Sequence, residues 1–240
     1  MKKIEALLTI AGFDPTGGAG ILRDILTFKH FGHYSTAVTT ANTAQNTKGV
    51  RIVHFEPPKI IKKQLLLIFE EFKIKGVKIG LPHKNIEFNK WLATFLKRKK
   101  VLIVFDPVIK PTSGKNFVEN INTILPLIET STIITPNEKE FESLEPFINP
   151  TNIPYTIIKG KKGNKQVKDL LLKQGEIIKT VIHKKDSLEI HGTGCAFSSA
   201  LLSLTTKGEN IETAFKKATE FLSNYRKKAT NGLKQGIYTE

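Results

Sequence analysis

Short apolar runs alternate along almost the whole chain with stretches whose apolar residues recur at helical spacing. Ala6–Ala11, Ser35–Thr40, Val50–Phe55, Gly76–Gly80, Val101–Phe105, Thr132–Thr135, Tyr155–Lys159 and Ile177–His183 read as strands. Several are continuous Val/Ile/Leu runs without polar alternation, as expected of strands covered on both faces of a parallel sheet. Gly18–Phe31, Lys59–Phe72, Asn85–Arg98, Phe117–Glu129, Glu138–Ser143, Gly194–Lys207 and Ile211–Lys228 read as helices. In the second of these, Ile60, Ile61, Leu65, Ile68 and Phe72 share one helical face, and Pro57–Pro58 mark its start. This alternation predicts an α/β fold, a mostly parallel sheet with helices on both sides. No linker, repeat or low-complexity tract divides it, so residues 1–240 are expected to form one domain. Glu145–Pro154 reads as a loop. In such sheets ligands bind outside the carboxyl ends of the strands, so chemistry is expected where Gly- and Asp-containing junctions follow them.

Composition narrows the class. Hydrophobic residues make up 40% and charged residues 25%, an ordinary globular balance. A single cysteine excludes an internal disulfide framework or a structural zinc cluster, and suits a reducing cytoplasm. No run is long enough to span a membrane. The opening Met-Lys-Lys-Ile-Glu-Ala-Leu-Leu imitates a signal peptide, but Glu5 interrupts it and Asp14-Pro15 replace a small-residue cleavage site, so it reads as the first strand. A net charge of +15 raises the question of nucleic acid. The lysines are spread along the chain, with runs only at 97–100 and 159–168, and no DNA- or RNA-binding motif accompanies them; a solvated basic surface that favours anionic substrates is the reading adopted.

Four junctions carry candidate chemistry. Ala11-Gly-Phe-Asp-Pro-Thr-Gly-Gly-Ala-Gly20 runs from a strand through a Gly-rich loop into a helix; it is neither a phosphate-loop nor a dinucleotide fingerprint, and alone it could be a plain turn. His191-Gly-Thr-Gly-Cys195 opens a small-residue helix whose free N–H groups would suit an anion. Cys195 at that terminus is expected to have a depressed pKa and to be able to act as a base, the alternative being a buried hydrophobe. Asp106 follows Val101–Phe105 directly, as a magnesium-binding acid or an ordinary turn residue. Asn137 and Glu140 lie three residues apart after Thr135-Pro136, suited to hydrated magnesium with phosphates or to a helix cap. His30 and His33 lack further ligands, Gly-x-Ser-x-Gly is absent, and Trp91 is assigned to the core.

In this order, the segments resemble the hydroxymethylpyrimidine/phosphomethylpyrimidine kinase family of thiamin biosynthesis, within the ribokinase-like superfamily. The resemblance runs from Leu8 to about Tyr225. It rests on Thr9-Ile-Ala-Gly-Phe-Asp-Pro-Thr-Gly-Gly-Ala-Gly-Ile21 with Asp24, Thr39-Thr-Ala-Asn-Thr-Ala-Gln-Asn-Thr47, Lys78-Ile-Gly80, Ser113-Gly114, Thr135-Pro-Asn137, Lys159-Gly160 and His191–Cys195. It implies a three-layer α/β/α fold and ATP-dependent phosphorylation of a hydroxymethyl-aminopyrimidine to its mono- and then diphosphate, with ATP as co-substrate and Mg2+. By position, Gln45 would bind the aminopyrimidine, with Asp24, Gly12, Ala19, Thr43 and Val108 in or beside its pocket. Gly192, Thr193 and Gly194 would form the anion hole, and Cys195 would be the base, where sugar kinases of the superfamily carry an aspartate. Asn137, Glu140 and Lys159 would meet the nucleotide, Asp106 and Glu140 the metal, and a lid would lie near Lys110–Phe117. The family also implies a homo-oligomer, a dimer, with no nucleic-acid or membrane partner.

The chain departs from the family at Leu81-Pro82, at Lys159-Gly-Lys-Lys162, at Lys110-Pro-Thr and in the segment before His191. Two other readings stay open: a pyridoxal or pyridoxine kinase of the same superfamily, and a non-catalytic pyrimidine-binding module.

Overall fold

The computed structural model describes residues 3–46, 48–109, 117–163, 166–184, 190–227, 229–230 and 237–238. Nine strands, β1 (Glu5–Phe13), β2 (Tyr34–Asn46), β3 (Gly49–Phe55), β4 (Lys73–Ile79), β5 (Leu102–Phe105), β6 (Ile133–Ile134), β7 (Tyr155–Lys162), β8 (Gln166–Lys173) and β9 (Glu176–Lys184), form one sheet. Their order is β3-β2-β1-β4-β5-β6-β7-β8-β9. From β2 to β7 the pairings are parallel; β3 and the β8–β9 hairpin add antiparallel strands at the two flanks. The sheet is therefore mixed, with the expected parallel centre.

Helices α1 (Gly20–His30), α6 (Thr193–Thr206) and α7 (Ile211–Lys227) cover one face, and α2 (Pro58–Glu71), α3 (Ile86–Lys99) and α4 (Leu125–Thr130) the other. Alternate residues of β1 divide between them: Ala6, Leu8 and Ile10 pack with Ile61, Leu65, Leu92 and Leu96, while Leu7 packs with Phe28, Phe197 and Phe215. Helix α6 is apolar or small on every side, and Ala196–Leu204 are all buried. A helix hydrophobic all round belongs in a core, and here the burial fixes its N-terminus against the sheet.

Local chemistry explains where the elements differ from expectation. The predicted helix over 117–129 contracts to a 3-10 turn, Ile121–Thr123, held by the Asn120 side chain, followed by the six-residue α4 with Pro126 in its first turn. Strand β8 was not expected; it begins within the lysine run, and Gln174–Gly175, both at positive φ, turn it into β9. Strand β2 runs six residues past Thr40, forming with β3 a ribbon that projects beyond the parallel centre. The loop expected at Glu145–Pro154 holds two 3-10 turns, and α5 (Glu138–Leu144) follows β6. All of the lid expected near Lys110–Phe117 except Phe117, with it Ser113-Gly114, and most of the segment before His191 fall outside the described residues.

Candidate active site

A cavity of about 990 Å³ opens at the carboxyl ends of the parallel strands. The β2–β3 ribbon supplies Thr43, Gln45 and Val50 to it, the β1–α1 loop Gly12, Asp14 and Ala19, and the loop after β5 Asp106 and Val108. Asn137 and Glu140 enter from the start of α5, Lys159 from β7, and Gly192–Cys195 from the start of α6.

Two helix N-termini meet there without side-chain caps, those of α1 and α6. Gly192, at φ 79°, begins α6 in a conformation that L side chains avoid. It is also the point of closest approach: a Cβ there would lie 1.8 Å from the Gly18 carbonyl oxygen. Asp14 secures this junction. Its carboxylate accepts hydrogen bonds from Thr16 N and Ala19 N, both at 2.9 Å, and meets His191 Nε2 at 2.7 Å. Burial acts to raise its pKa, but His191 and the Thr16 groups outweigh burial and hold it at about 2.

Beside the α6 terminus lies a charged cluster. Lys159 Nζ donates to Asp106 Oδ1 at 2.6 Å, Thr135 Oγ1 to the same oxygen at 3.2 Å, and Ser198 Oγ to Oδ2 at 3.4 Å. Burial would raise the Asp106 pKa, but Lys159 and Lys78 keep it below the usual carboxylate range. A Cβ on Gly194 would reach within 3.3 Å of Lys159 Nζ and 3.5 Å of Asp106 Oδ2, so that backbone can lie against the cluster because it carries no side chain. Asn137 and Glu140 form a capping box at α5: Asn137 Oδ1 accepts from Glu140 N, and Glu140 Oε2 from Asn137 N. The cap and the cavity role thus fall on the same two residues. Burial pushes the Glu140 carboxyl up to about 7 despite Lys159.

The expected depressed pKa of Cys195 is not found. Burial pushes the thiol up to about 11; Lys78 and the Gly20 N–H pull it down, while Asp24 and Asp106 push it further up. A helix terminus cannot offset removal from water beside two carboxylates, so the resting group is the thiol. Asp24, expected in or beside the pocket, is not among the lining residues. It is fully buried below the floor, where its oxygens accept from Thr9, Lys78 and Ser199.

Gly12, Ala19, Thr43, Gln45, Val108, Asp106, Asn137, Glu140, Lys159 and Gly192–Cys195, the other residues singled out from the sequence, all line the one cavity. Lys78, Asp14, Asp169 and His183 line it too, without having been assigned roles. Asp169 and His183 stand across the β8–β9 hairpin at its β7 side: Asp169 Oδ1 accepts from Gly160 N at 2.7 Å, and Oδ2 meets His183 Nε2 at 2.9 Å. That bond raises the His183 pKa against the opposing effects of burial and Arg226. A lysine inside a strand buried on both faces was the available signal for Lys78, because it requires a buried partner.

The family model described as phosphomethylpyrimidine kinase matches residues 14–239. A hydroxymethylpyrimidine/phosphomethylpyrimidine kinase of Aquifex aeolicus is 39% identical over 236 residues, covering 90% of this chain and 92% of that protein. The crystal structure of phosphomethylpyrimidine kinase from Clostridium difficile 630 is 31% identical with a TM-score of 0.75, covering 92% of this chain and 99% of the other. The ADP complex of Bacillus subtilis pyridoxal kinase superposes with a TM-score of 0.84 at 24% identity, over 99% and 97% of the two chains, a likeness of fold.

Proposed function

The chain belongs to the phosphomethylpyrimidine kinase family, and from that premise we propose that it uses ATP to phosphorylate 4-amino-5-hydroxymethyl-2-methylpyrimidine to its monophosphate, and then to the diphosphate, in thiamin biosynthesis. The observation that carries the reading is the single cavity joining the uncapped α6 N-terminus, the Asp106–Lys159 pair and the Gln45 ribbon.

Gln45 offers both a donor and an acceptor to the aminopyrimidine edge, with Gly12, Ala19, Thr43 and Val108 around the ring. The Gly192, Thr193 and Gly194 backbone faces the phosphoryl group in transfer, where fixed N–H dipoles stabilise spreading negative charge. The hydroxymethyl oxygen forms the new bond to phosphorus as the bond to the ADP oxygen breaks, and its proton passes to Cys195 Sγ, acting in its thiolate form. Proton loss comes late in such transfers, so positioning and charge carry most of the rate. Lys159, Asn137 and Glu140 act on the nucleotide side.

Among the described residues no group of three or more His, Cys, Asp or Glu side chains could cage a metal. Two carboxylates near a phosphate site fit Mg2+, which keeps its waters and binds through few protein oxygens; Asp106 and Glu140 would hold it, and it would neutralise phosphate charge. Among the described residues no helix is long and apolar enough to cross a membrane, and we read the chain as one cytoplasmic kinase domain.

The test is ATP consumption with the pyrimidine alcohol, its monophosphate and pyridoxal, with products resolved by mass. Sequential mono- and diphosphate is expected. Turnover of pyridoxal alone would move the substrate to vitamin B6, and binding of the pyrimidine without turnover of any substrate would leave a ligand-binding module.

A further inference from the structure

Lys159 enters the cavity from an irregular point of β7. The β7–β8 ladder pairs Ile158 with Leu170 and then Lys161 with Lys168, so Lys159 and Gly160 together stand opposite the single residue Asp169. That is a β-bulge, a device that bends a strand and re-aims a side chain. Gly160 takes the bend at φ 71°, with open space where a Cβ would lie.

The bulge is pinned from both sides. Lys159 N donates to the Pro136 carbonyl at 2.9 Å, which sets it beside Asn137. Gly160 N donates to Asp169 Oδ1 at 2.7 Å, and His183 Nε2 holds the other carboxyl oxygen at 2.9 Å. From this fixed backbone the Lys159 side chain crosses to Asp106 Oδ1 at 2.6 Å, against Gly194. Strand cohesion does not require the Asp169 contact, because β8 is laddered to β7 on both sides of the bulge and to β9 along its length. What the contact adds is a buried acceptor at the one place where the strand turns its lysine into the cavity.

We propose that Asp169 is a positioning residue for Lys159: its side chain closes the β7 bulge and so holds the Lys159 ammonium on Asp106, with His183 fixing the acceptor. The proposal rests on the reading of Lys159 as a residue of the nucleotide side. Asp169 acts through the Gly160 backbone, so loss of its acceptor displaces Lys159 and weakens ATP. Gln45, on the opposite flank of the sheet, is left undisturbed.

Asp169→Leu and Asp169→Asn both lose the acid at similar volume, but only the asparagine keeps an oxygen for Gly160 N. Their difference therefore reads the acceptor and not the charge. Asp169→Leu is expected to raise KM for ATP roughly tenfold or more, the effect of losing a hydrogen bond to a charged group. KM for the pyrimidine in that variant, and both KM values in Asp169→Asn, should stay within roughly threefold of the parent. Placed on Lys159→Met, Asp169→Leu should add no more than about threefold, since a residue that acts through Lys159 has nothing further to lose there. Crystal structures of the two Asp169 variants read the Lys159–Asp106 contact directly; it should be broken with leucine and kept with asparagine. Lys159 still on Asp106 in a folded Asp169→Leu would overturn the proposal. Equal losses with leucine and asparagine, or full additivity with Lys159→Met, would overturn it as well and leave Asp169 a residue of the strand pairing. Should Asp169→Leu not fold, Asp169→Ala carries the same comparison. If the parent chain neither bound nor turned over ATP, the functional reading would fail, while the crystal structures would still decide whether Asp169 sets Lys159.

Discussion

Gly192→Ala tests the close docking of the α6 terminus on the β1–α1 loop. The substitution has two separable costs. At φ 79° an L residue loses about 1–2 kcal/mol relative to glycine. The new methyl would also stand 1.8 Å from the Gly18 carbonyl oxygen and 3.2 Å from Ala19 Cα, both backbone neighbours that cannot rotate away. Forcing a group into such a site typically costs a further ~1–3 kcal/mol. Gly17→Ala isolates the first cost, because Gly17 has φ 72° but nothing within 4 Å of its would-be Cβ. Urea unfolding and calorimetry on both variants should therefore place Gly192→Ala about 3 kcal/mol below the parent, with Tm about 6–12 °C lower, against about 1.5 kcal/mol and about 3–6 °C for Gly17→Ala. Relief of the clash must move the Gly192–Gly194 backbone, and an ångström of misplacement costs about a hundredfold in rate, so kcat should fall much further in Gly192→Ala. If the two variants melt together and retain similar kcat, the docking is not tight and its backbone is not positioned for transfer.

Asp14→Ala should cost about 2 kcal/mol of stability at pH 7, because the native carboxylate titrates near 2 against 3.8 for the free group. A depressed carboxylate pKa stabilises above the unfolded value and is lost as pH falls through the folded one, so about half the difference should remain at pH 3 and little below pH 2, as read by denaturant titration at each pH. Gln45→Ala should raise KM for the pyrimidine by roughly 5–150-fold, the effect of losing hydrogen bonds worth about 1–3 kcal/mol, and leave background ATP hydrolysis unchanged; equal loss of both would make Gln45 a fold residue. Cys195→Ala should lower kcat by about a hundredfold or more with little change in KM, and unchanged kcat would remove the proton-acceptor role.

The centre of the fold is legible from its sequence because burial on both faces leaves plain marks. Val101–Phe105 is an uninterrupted apolar run and Ala6–Ala11 is broken only by Thr9, and both are core strands. The flanks are less legible. β8 opens on Gln166, Lys168 and Asp169 within a basic stretch before its Leu170–Leu172 run, and only the Gln174–Gly175 turn marks it as half of a hairpin. The glycine and acidic residues at the strand ends that line the cavity were readable as motifs, because they recur at successive strand-to-helix junctions. Their ionisation states were not, because these depend on neighbours distant in sequence. Cys195 is governed first by burial and then by Lys78, Asp24 and Asp106. Lys78 follows Lys73 and Lys75 in a lysine-bearing strand; its place between Val77 and Ile79 signals a buried ammonium, but nothing local names Asp24 as its partner.

The ribbon that β2 and β3 push beyond the parallel centre separates two tasks within one chain. Gln45 and Val50 belong to it, whereas Asp106, Lys159 and the α6 terminus belong to the middle of the sheet. Under the proposed function, changes to the ribbon would redraw which ring is accepted without disturbing the parts proposed to handle phosphate. On that reading the site could diversify from one edge, gaining new acceptors by small steps while its transfer apparatus stayed as it is.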